Sequence, residues 1–221
     1  MPASPISPRR GIGPNRHARA VAFAAVAALA LTLAACGHDG PRLEPLGRDA
    51  VVLAYGDSLT FGTGAPADAS YPAVLERLIG RRVIRSGVPG EVSAAALRRL
   101  PDDLARHRPD LLILCHGGND ILRGYDDGST EANVRAMVAM AAAQGIDVVL
   151  IGVPRPGLFM SEGAAFYDRI AGDFDIPYLA EALPGIVASA SLKSDPIHPN
   201  ALGYRRLAEA VADTLRASGA I

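Results

Sequence analysis

Short apolar runs alternate with amphipathic stretches along the chain from residue 50 onward. The apolar runs cover residues 50–55, 82–86, 111–115, 148–153 and, more weakly, 176–179. Their continuous apolar character, without polar alternation, is typical of parallel strands that helices cover on both faces. The pattern therefore predicts an α/β fold with five parallel strands, in which functional residues lie in the loops that follow the strands.

Two of the intervening helices are clear from the spacing of their apolar residues. One has Ser129 or Thr130 as its expected cap and Gly145 as its stop, and repeats apolar residues at Val134, Met137, Val138 and Ala141. The last helix is expected to start at Pro199, and one of its faces carries Tyr204, Leu207, Ala208, Val211 and Leu215. Strands and helices that alternate in this way favour a doubly wound sheet with right-handed connections.

The first 35 residues have the pattern of a targeting segment. Arginines up to Arg19 precede an uncharged stretch, residues 20–35, which is short for a bilayer span of about 20 residues. The stretch ends in Leu33-Ala34-Ala35-Cys36, which resembles the lipobox of bacterial lipoproteins. We therefore expect residues 1–35 to be a lipoprotein signal peptide and Cys36 to be lipidated, with ordinary secretion as the alternative.

A lipidated N-terminus predicts the organisation of the rest of the chain. Residues 36–49 mix Gly, Pro and charge without apolar periodicity, so we expect the lipidated cysteine to be followed by a tether. Residues 50–221 are then the folded domain, exported and lipid-anchored to a bacterial membrane on its periplasmic or cell-surface side. The only other cysteine, Cys115, lies in an apolar run, so we expect a small buried side chain and no disulfide.

The charge balance argues against nucleic acid as a partner. Without its first 35 residues, which hold four arginines and no acid, the chain carries 18 basic and 23 acidic residues. A mildly acidic domain lacks the basic surface that neutralises a phosphate backbone. The sequence also contains no CxxC, HxxxH or GxxxxGK[ST] pattern, so it implies no metal or organic cofactor.

The loop after the first predicted strand, residues 56–60, contains a candidate nucleophile. Ser58 lies where the strand ends and a helix could begin, so its hydroxyl would stand at the carboxyl edge of the sheet. Backbone N–H groups at that position can face a developing anion. Taken alone, however, the position suits a helix N-cap better than a nucleophile.

Two histidines, His116 and His198, could serve Ser58 as a general base. His198 follows Asp195 by three residues in an irregular segment before the last helix. At that spacing the carboxylate can hold one imidazole nitrogen while the other nitrogen faces a hydroxyl. His116 ends a buried strand and is expected to be a core histidine, with a direct catalytic role as the alternative.

Small-residue loops also follow the second and third predicted strands, and they contain Gly90 and Asn119. If the strand order is 2-1-3-4-5, the first three loops are neighbours, and Ser58, Gly90 and Asn119 converge. The Asn119 side-chain amide and the backbone N–H groups of Gly90 and Ser58 would suit the oxyanion of an acyl-transfer reaction.

Four motifs together resemble the SGNH (GDSL-type) hydrolases, and most closely their thioesterase I and arylesterase-like branch. They occur in the family order: GDSLT (56–60), VPGE (88–91), GGND (117–120) and DPIHPN (195–200). The resemblance implies a flavodoxin-like three-layer α/β/α fold. It also implies Ser58 as nucleophile, Asp195 and His198 as the other members of the triad, and Gly90 and Asn119 as oxyanion donors.

The activity that the resemblance implies is cofactor-free cleavage of small carboxylic esters or thioesters through an acyl-enzyme on Ser58. The candidates are an arylesterase, an acyl-CoA thioesterase or a lysophospholipase-like enzyme. One alternative is an esterase that removes O-acetyl groups from envelope polysaccharide. An alternative of another class is a non-catalytic lipoprotein that binds a lipid or a protein partner on the same scaffold.

Overall fold

A five-stranded parallel sheet forms the centre of the computed structural model, which describes Met1, residues 40–155 and residues 164–221. The strands are β1 (Val51–Gly56), β2 (Arg82–Gly87), β3 (Leu111–Cys115), β4 (Asp147–Ile151) and β5 (Tyr178–Leu179). Their order is β2-β1-β3-β4-β5, and every neighbouring pair is parallel. The predicted flavodoxin-like sheet with order 2-1-3-4-5 is confirmed.

Helices cover the sheet. The α-helices in the described residues are α1 (Ser58–Phe61), α2 (Tyr71–Ile79), α3 (Ser93–His107), α4 (Gly118–Leu122), α5 (Asp127–Ala142), α6 (Phe166–Phe174), α7 (Ala182–Ala188) and α8 (Ala201–Ala217). Helix α8 packs on α2 and α7, whereas α5 packs on α3 and α6. These two groups form the outer layers of a doubly wound α/β/α arrangement. The apolar faces predicted for α5 and α8 are buried.

Helix α5 begins earlier than the sequence pattern predicted. Asp126 is its N-cap, because its side chain accepts a hydrogen bond from the Ser129 N–H at 2.8 Å. The prediction of Ser129 or Thr130 as the cap is therefore wrong. A carboxylate three residues upstream satisfies a first-turn N–H group as well as a hydroxyl would.

Helix α8 begins later than predicted. Asn200 is its N-cap and accepts from the N–H groups of Leu202 and Gly203, each at 3.0 Å. Pro199, the predicted first residue, instead pairs with Lys193 in an isolated antiparallel bridge. This bridge holds the segment in front of α8 in one conformation.

The segment that precedes β1 is part of the fold. Leu43 and Leu46 are buried, and their N–H groups donate to the carbonyls of Ser218 and Ala220 at 3.1 and 2.8 Å. We call residues 43–46 the N-terminal strap. The prediction that residues 36–49 are a tether does not hold for the strap, because two buried leucines tie it to the end of α8.

The strap lies at the amino edge of the sheet. The Glu44 N–H donates to Asp147, the first residue of β4, at 2.8 Å. Arg81, which directly precedes β2, donates to the Leu46 carbonyl at 3.1 Å. The predicted signal peptide beyond Met1, and the predicted lipidation site Cys36, lie outside the described residues. Within the described part, no helix is long and apolar enough to span a membrane.

Glycines at the carboxyl edge of the sheet let the first loop lie between its neighbours. Gly56 ends β1 and pairs with Gly87 of β2 on one side and with Cys115 of β3 on the other. A Cβ atom at Gly56 would overlap the Cys115 carbonyl oxygen, and one at Gly87 would overlap the backbone of Phe61. The close approach of these backbones therefore requires glycine.

Candidate active site

Ser58 opens the short helix α1 directly after β1. Asp57 caps this helix, and its Oδ1 accepts a hydrogen bond from the Leu59 N–H at 3.0 Å. The N–H of Ser58 itself belongs to the first helical turn, where it has no partner within the helix. The N-cap role that the sequence offered as an alternative for this loop thus belongs to Asp57, which leaves the Ser58 hydroxyl and N–H available.

His198 contacts both other members of the predicted triad. Its Nε2 lies 2.9 Å from Ser58 Oγ, and its Nδ1 lies 2.7 Å from Asp195 Oδ2. The two carboxylate oxygens of Asp195 are used differently, because Oδ1 accepts from the N–H groups of Ile197 and His198 at 2.9 and 2.8 Å. The predicted residues Ser58, Asp195 and His198 therefore form one hydrogen-bonded chain.

The environment of Asp195 keeps its carboxyl ionised. Partial burial acts to raise its pKa, but the hydrogen bonds from the Ile197 N–H and from His198 outweigh burial and lower the pKa. An ionised Asp195 fixes the proton of neutral His198 on Nδ1, which leaves Nε2 as an acceptor toward Ser58.

The loop that carries His198 is held from the side by the segment after α1. Gly64 has φ +96°, and a Cβ there would overlap the Ser194 side chain and lie 2.7 Å from the Pro199 carbonyl oxygen. Tyr204 of α8 donates from its hydroxyl to the Thr63 carbonyl at 2.8 Å. The segment of Thr63 and Gly64 is thereby packed closely against the loop that carries His198.

Gly90 lies at the third position of a tight turn. The Glu91 N–H donates to the Val88 carbonyl at 3.1 Å, Pro89 occupies the second position, and Gly90 has φ +77°. These are the features of a type II turn, which favours glycine at this position. Among the described residues, no acceptor takes the Gly90 N–H. Gly90 does not line the cleft at Ser58, but its neighbour Glu91 contacts Asn119.

Asn119 lies in α4 and lines the cleft beside Ser58. Its amide nitrogen donates to Asp57 Oδ2 and to the Glu91 carbonyl, each at 3.0 Å. Both hydrogens of the amide that the sequence suggested as an oxyanion donor are therefore engaged. Donation to an oxyanion would need a shared hydrogen bond.

Two acidic residues next to the predicted site have roles that the sequence argument missed. Asp57 is buried, and its burial raises the pKa of its carboxyl although the nearby His116, the Leu59 N–H and His198 act to lower it. Asp120 is buried as well and accepts from the backbone and the hydroxyl of Ser93 at 2.8 and 2.7 Å. Their positions directly beside Ser58 and Asn119 were the only signal available in the sequence.

The other candidate base is oriented away from the nucleophile. His116 is fully buried, and its Nε2 lies 3.3 Å from Glu91 Oε2 rather than near Ser58. The expectation of a buried histidine is confirmed. Cys115 is buried too, as predicted, and burial raises the pKa of its thiol well above the usual range. A thiol in that state is a poor nucleophile.

An open cleft leads to Ser58 and His198. Apart from these two residues, Asp57, Arg155 and the amide of Asn119, its walls are mainly apolar. The apolar side chains come from five loops or helices: Leu59, Leu122, Val153, Pro154, Leu183, Val187, Pro196 and Ile197. A cleft with this lining suits the acyl or aryl part of an ester and leaves the polar groups at its base.

Residues 54–206 match the family described as GDSL-like lipase/acylhydrolase. The match covers more than half of the chain and includes all five predicted catalytic residues. The chain belongs to this family. It is therefore a serine ester hydrolase, and the resemblance to SGNH hydrolases that the four motifs indicated is confirmed.

Named relatives agree with this membership. Esterase TesA of Pseudomonas aeruginosa is 29% identical over 177 residues, which cover 75% of this chain and 87% of TesA. Thioesterase 1/protease 1/lysophospholipase L1 of Escherichia coli K12 is 31% identical over 156 residues, which cover 67% of this chain and 75% of the relative. The crystal structure of AlinE4, an SGNH-hydrolase family esterase, has a TM-score of 0.62 at 30% identity and covers 77% of this chain and 97% of AlinE4.

Proposed function

We propose that Ser58 is the nucleophile of this hydrolase, His198 its general base and Asp195 the residue that orients His198. The observation that carries the proposal is the continuous hydrogen-bonded chain from Ser58 Oγ through both nitrogens of His198 to Asp195, with distances of 2.9 and 2.7 Å. No rearrangement is needed before the Ser58 proton can move to His198 Nε2.

The reaction then proceeds in two halves. Ser58 Oγ attacks the acyl carbonyl carbon while its proton passes to His198 Nε2, and the bond to the leaving alcohol or thiol breaks as that group takes the proton from His198. Water next attacks the acyl-enzyme and gives a proton to His198. Collapse of this second intermediate releases the carboxylic acid and returns the proton to Ser58.

The oxyanion formed in each half would be held by the N–H groups of Ser58 and Gly90 and by the Asn119 amide. The support differs between the three. The Ser58 N–H lacks a helical partner, no acceptor among the described residues takes the Gly90 N–H, and the Asn119 amide lines the cleft but is already bonded to Asp57 and Glu91. The Ser58 N–H is therefore the best supported of the three, because Gly90 does not line the cleft at Ser58.

We propose small acyl esters and thioesters as substrates, with the acyl or aryl group on the apolar cleft wall. The cleft lining supports apolar substrates, and the names of the relatives cover both bond types, since one is an esterase and another a thioesterase and lysophospholipase. O-acetylated envelope polysaccharide is the second candidate, because the predicted export would bring the enzyme to that polymer.

We also propose that the mature protein begins at a lipidated Cys36 and is held on the periplasmic or cell-surface side of a bacterial membrane. The support is the sequence Leu33-Ala34-Ala35-Cys36 after an uncharged stretch. Mass spectrometry of the mature N-terminus tests it: a diacyl or triacyl cysteine is expected, whereas a free N-terminus elsewhere on soluble protein would refute it. Cys36→Ser should release an active domain.

Labelling with a fluorophosphonate tests the nucleophile directly. The reagent should modify Ser58 in the wild type and leave Ser58→Ala unlabelled, with peptide mapping to locate the adduct. Labelling at another serine would overturn the assignment, and an unlabelled wild type that binds lipid would favour the non-catalytic lipoprotein. A panel of p-nitrophenyl esters, acyl-CoA thioesters and acetylated glycans then separates the substrate classes.

A further inference from the structure

A cluster of polar and charged side chains lies behind the proposed oxyanion loops and takes no part in the triad. At its centre Glu91 forms a bidentate pair with Arg99, with distances of 3.0 Å from Nε to Oε1 and 2.7 Å from Nη2 to Oε2. The other end of the Arg99 guanidinium donates to Ser86 and Asp103 at 2.6 and 2.5 Å. The same guanidinium lies 4.2 Å from the centroid of the Tyr55 ring. Arg99 is therefore fixed on several sides.

His116 holds Glu91 from the opposite side. The Gly117 N–H donates to His116 Nδ1 at 3.1 Å, which makes Nδ1 the unprotonated nitrogen. Nε2 then carries the hydrogen and donates it to Glu91 Oε2, 3.3 Å away. Because the imidazole is fully buried, it has no freedom to adopt another position without disturbing the start of the third loop.

The Glu91 side chain is held as a carboxylate. Only 8% of it is exposed, and burial acts to raise its pKa, but the hydrogen bonds from His116 and Arg99 outweigh burial and lower the pKa to about 2. A carboxylate that accepts from both sides is fixed in position and orientation.

The backbone of Glu91 transmits this position to the active site. Its carbonyl accepts one of the two hydrogens of the Asn119 amide at 3.0 Å, and the other hydrogen is bonded to Asp57. The direction of the Asn119 amide therefore depends on where the Glu91 carbonyl lies. That carbonyl in turn depends on the side chain of the same residue.

We propose that Glu91, Arg99 and His116 form a clamp that positions the Asn119 amide for the oxyanion, so that these three are positioning residues for the hydrolysis. The inference rests on the proposed role of Asn119. Stability alone gives little reason for such an arrangement, because a buried ion pair often contributes no more than an apolar packing of the same volume. Geometry does give a reason, because small displacements of a group that contacts the transition state are costly in rate.

The test is a double-mutant cycle between Glu91 and Asn119 in the full chain. In the wild type, Glu91→Ala should lower kcat for a p-nitrophenyl ester about tenfold with KM nearly unchanged. In an Asn119→Ala background, Glu91→Ala should lower kcat only about twofold or less, because the amide that Glu91 positions is absent. The rate of fluorophosphonate labelling provides the same comparison where turnover is too slow to measure.

Two further variants separate positioning from folding. Glu91→Gln keeps the shape and an acceptor oxygen, so it should retain most of the kcat that Glu91→Ala loses. Arg99→Lys keeps the charge but loses the bidentate contact with Glu91, so it should also lower kcat. It replaces Glu91→Ala in the test if that variant is too unstable to purify. Glu131→Ala is the matched control, since Glu131 pairs with two arginines that do not line the cleft, Arg135 and Arg169. It should lower stability at most and leave kcat unchanged.

The outcomes are distinct. Equal losses of kcat from Glu91→Ala in both backgrounds, or a loss of stability with kcat unchanged, would overturn the clamp. An active Ser58→Ala would instead overturn the proposed function itself, whatever the result of the cycle. Strong coupling together with an inactive Ser58→Ala is the expected result.

Discussion

Asn119 differs from the backbone donors because its amide is engaged in the resting structure. Its two hydrogens bond to a buried carboxylate, Asp57, and to a carbonyl, Glu91. An oxyanion can gain a hydrogen bond from Asn119 only by sharing one of these hydrogens. The contribution of Asn119 should consequently lie at the low end of what a single donor provides, which is about 100-fold in kcat.

Replacing Asn119 with Ala tests this magnitude. We expect kcat to fall about 100-fold with KM little changed, because the amide acts on charge that exists only in the transition state. Steady-state kinetics on a p-nitrophenyl ester measures both constants. The variant should still react, more slowly, with a fluorophosphonate, because Ser58 and His198 remain. A raised KM with unchanged kcat would instead assign Asn119 to substrate binding.

The two candidate histidines, His116 and His198, should respond differently to substitution. His198→Ala removes the base that contacts Ser58, so we expect kcat to fall by at least about 10,000-fold. His116→Ala removes one of the hydrogen bonds that hold Glu91, so it should lower kcat about tenfold. Both variants should be confirmed as folded by circular dichroism. Equal and complete loss in both folded variants would contradict the assignment of His198 as the base.

Glu91 should make stability depend on pH in the acid range. Its pKa in the folded protein is about 2, below the ordinary value of 4.5. A carboxyl whose pKa is lowered by folding stabilises the protein above the ordinary value, and this contribution is lost as the pH falls toward the folded value. The difference in unfolding free energy between wild type and Glu91→Gln should thus narrow between pH 4.5 and 2. Urea unfolding at several pH values measures it, and a constant difference would contradict the assignment.

The triad could be predicted because each part has a local signal in the sequence, although Ser58 and His198 lie 140 residues apart. Asp195 and His198 are three residues apart, and Ser58 follows directly after a strand, so spacing and position were enough to suggest them. The contacts of Asp57 and Glu91 were not accessible, because each joins loops far apart in the chain. Their partners depend on backbone positions that only the assembled loops define.

Among the secondary-structure elements, the strands were the easiest to predict and the helix starts the hardest. Every predicted strand lies within three residues of the observed one at each end, since a buried parallel strand leaves a continuous apolar run. The start of a helix is set instead by whichever nearby side chain caps it. Asp126 and Asn200 act as caps here, where the pattern suggested a hydroxyl residue and a proline.

Gly64 offers a test of how the loop elements hold His198. Gly64→Ala adds a side chain where Ser194 and Pro199 leave no space, and it also places alanine at φ +96°. We expect lower stability and a loss in kcat, because the loop that carries His198 must move. Gly80→Ala is the matched control: it also has positive φ, +62°, but open space around it. It should cost about 1 kcal/mol in stability and leave kcat unchanged.

At the scale of the whole molecule, the strand order is what assembles the site. With β1 between β2 and β3, the loops of Ser58, Gly90 and Asn119 meet at one edge of the sheet, as the sequence argument assumed. The start of the domain was less predictable. The strap has no apolar periodicity, and only its docking on the end of α8 shows that Leu43 and Leu46 belong to the core.

The strap should contribute to the stability of the whole domain. Leu46→Ala removes a buried side chain, so we expect the unfolding free energy to fall by about 2 to 3 kcal/mol. Leu78→Ala, at an exposed leucine of α2, is the matched control and should have a small effect. Denaturant unfolding measures both variants. No difference between them would mean that the strap is not part of the cooperative unit.

The position of the strap determines which edge of the sheet an anchor at Cys36 would hold near a membrane. The strap crosses the amino edge of the sheet, whereas Ser58 stands at the carboxyl edge, about 20 Å away along the six residues of β1. If Cys36 carries a lipid as proposed, six residues lie between it and Leu43, and this segment reaches at most roughly 25 Å. A tether of that length would keep the amino edge of the sheet, where the strap lies, within roughly 25 Å of the bilayer surface. An anchor attached at the amino edge would thus favour substrates that reach the carboxyl edge from the surrounding solution or from an opposing surface over the lipids of the anchoring membrane.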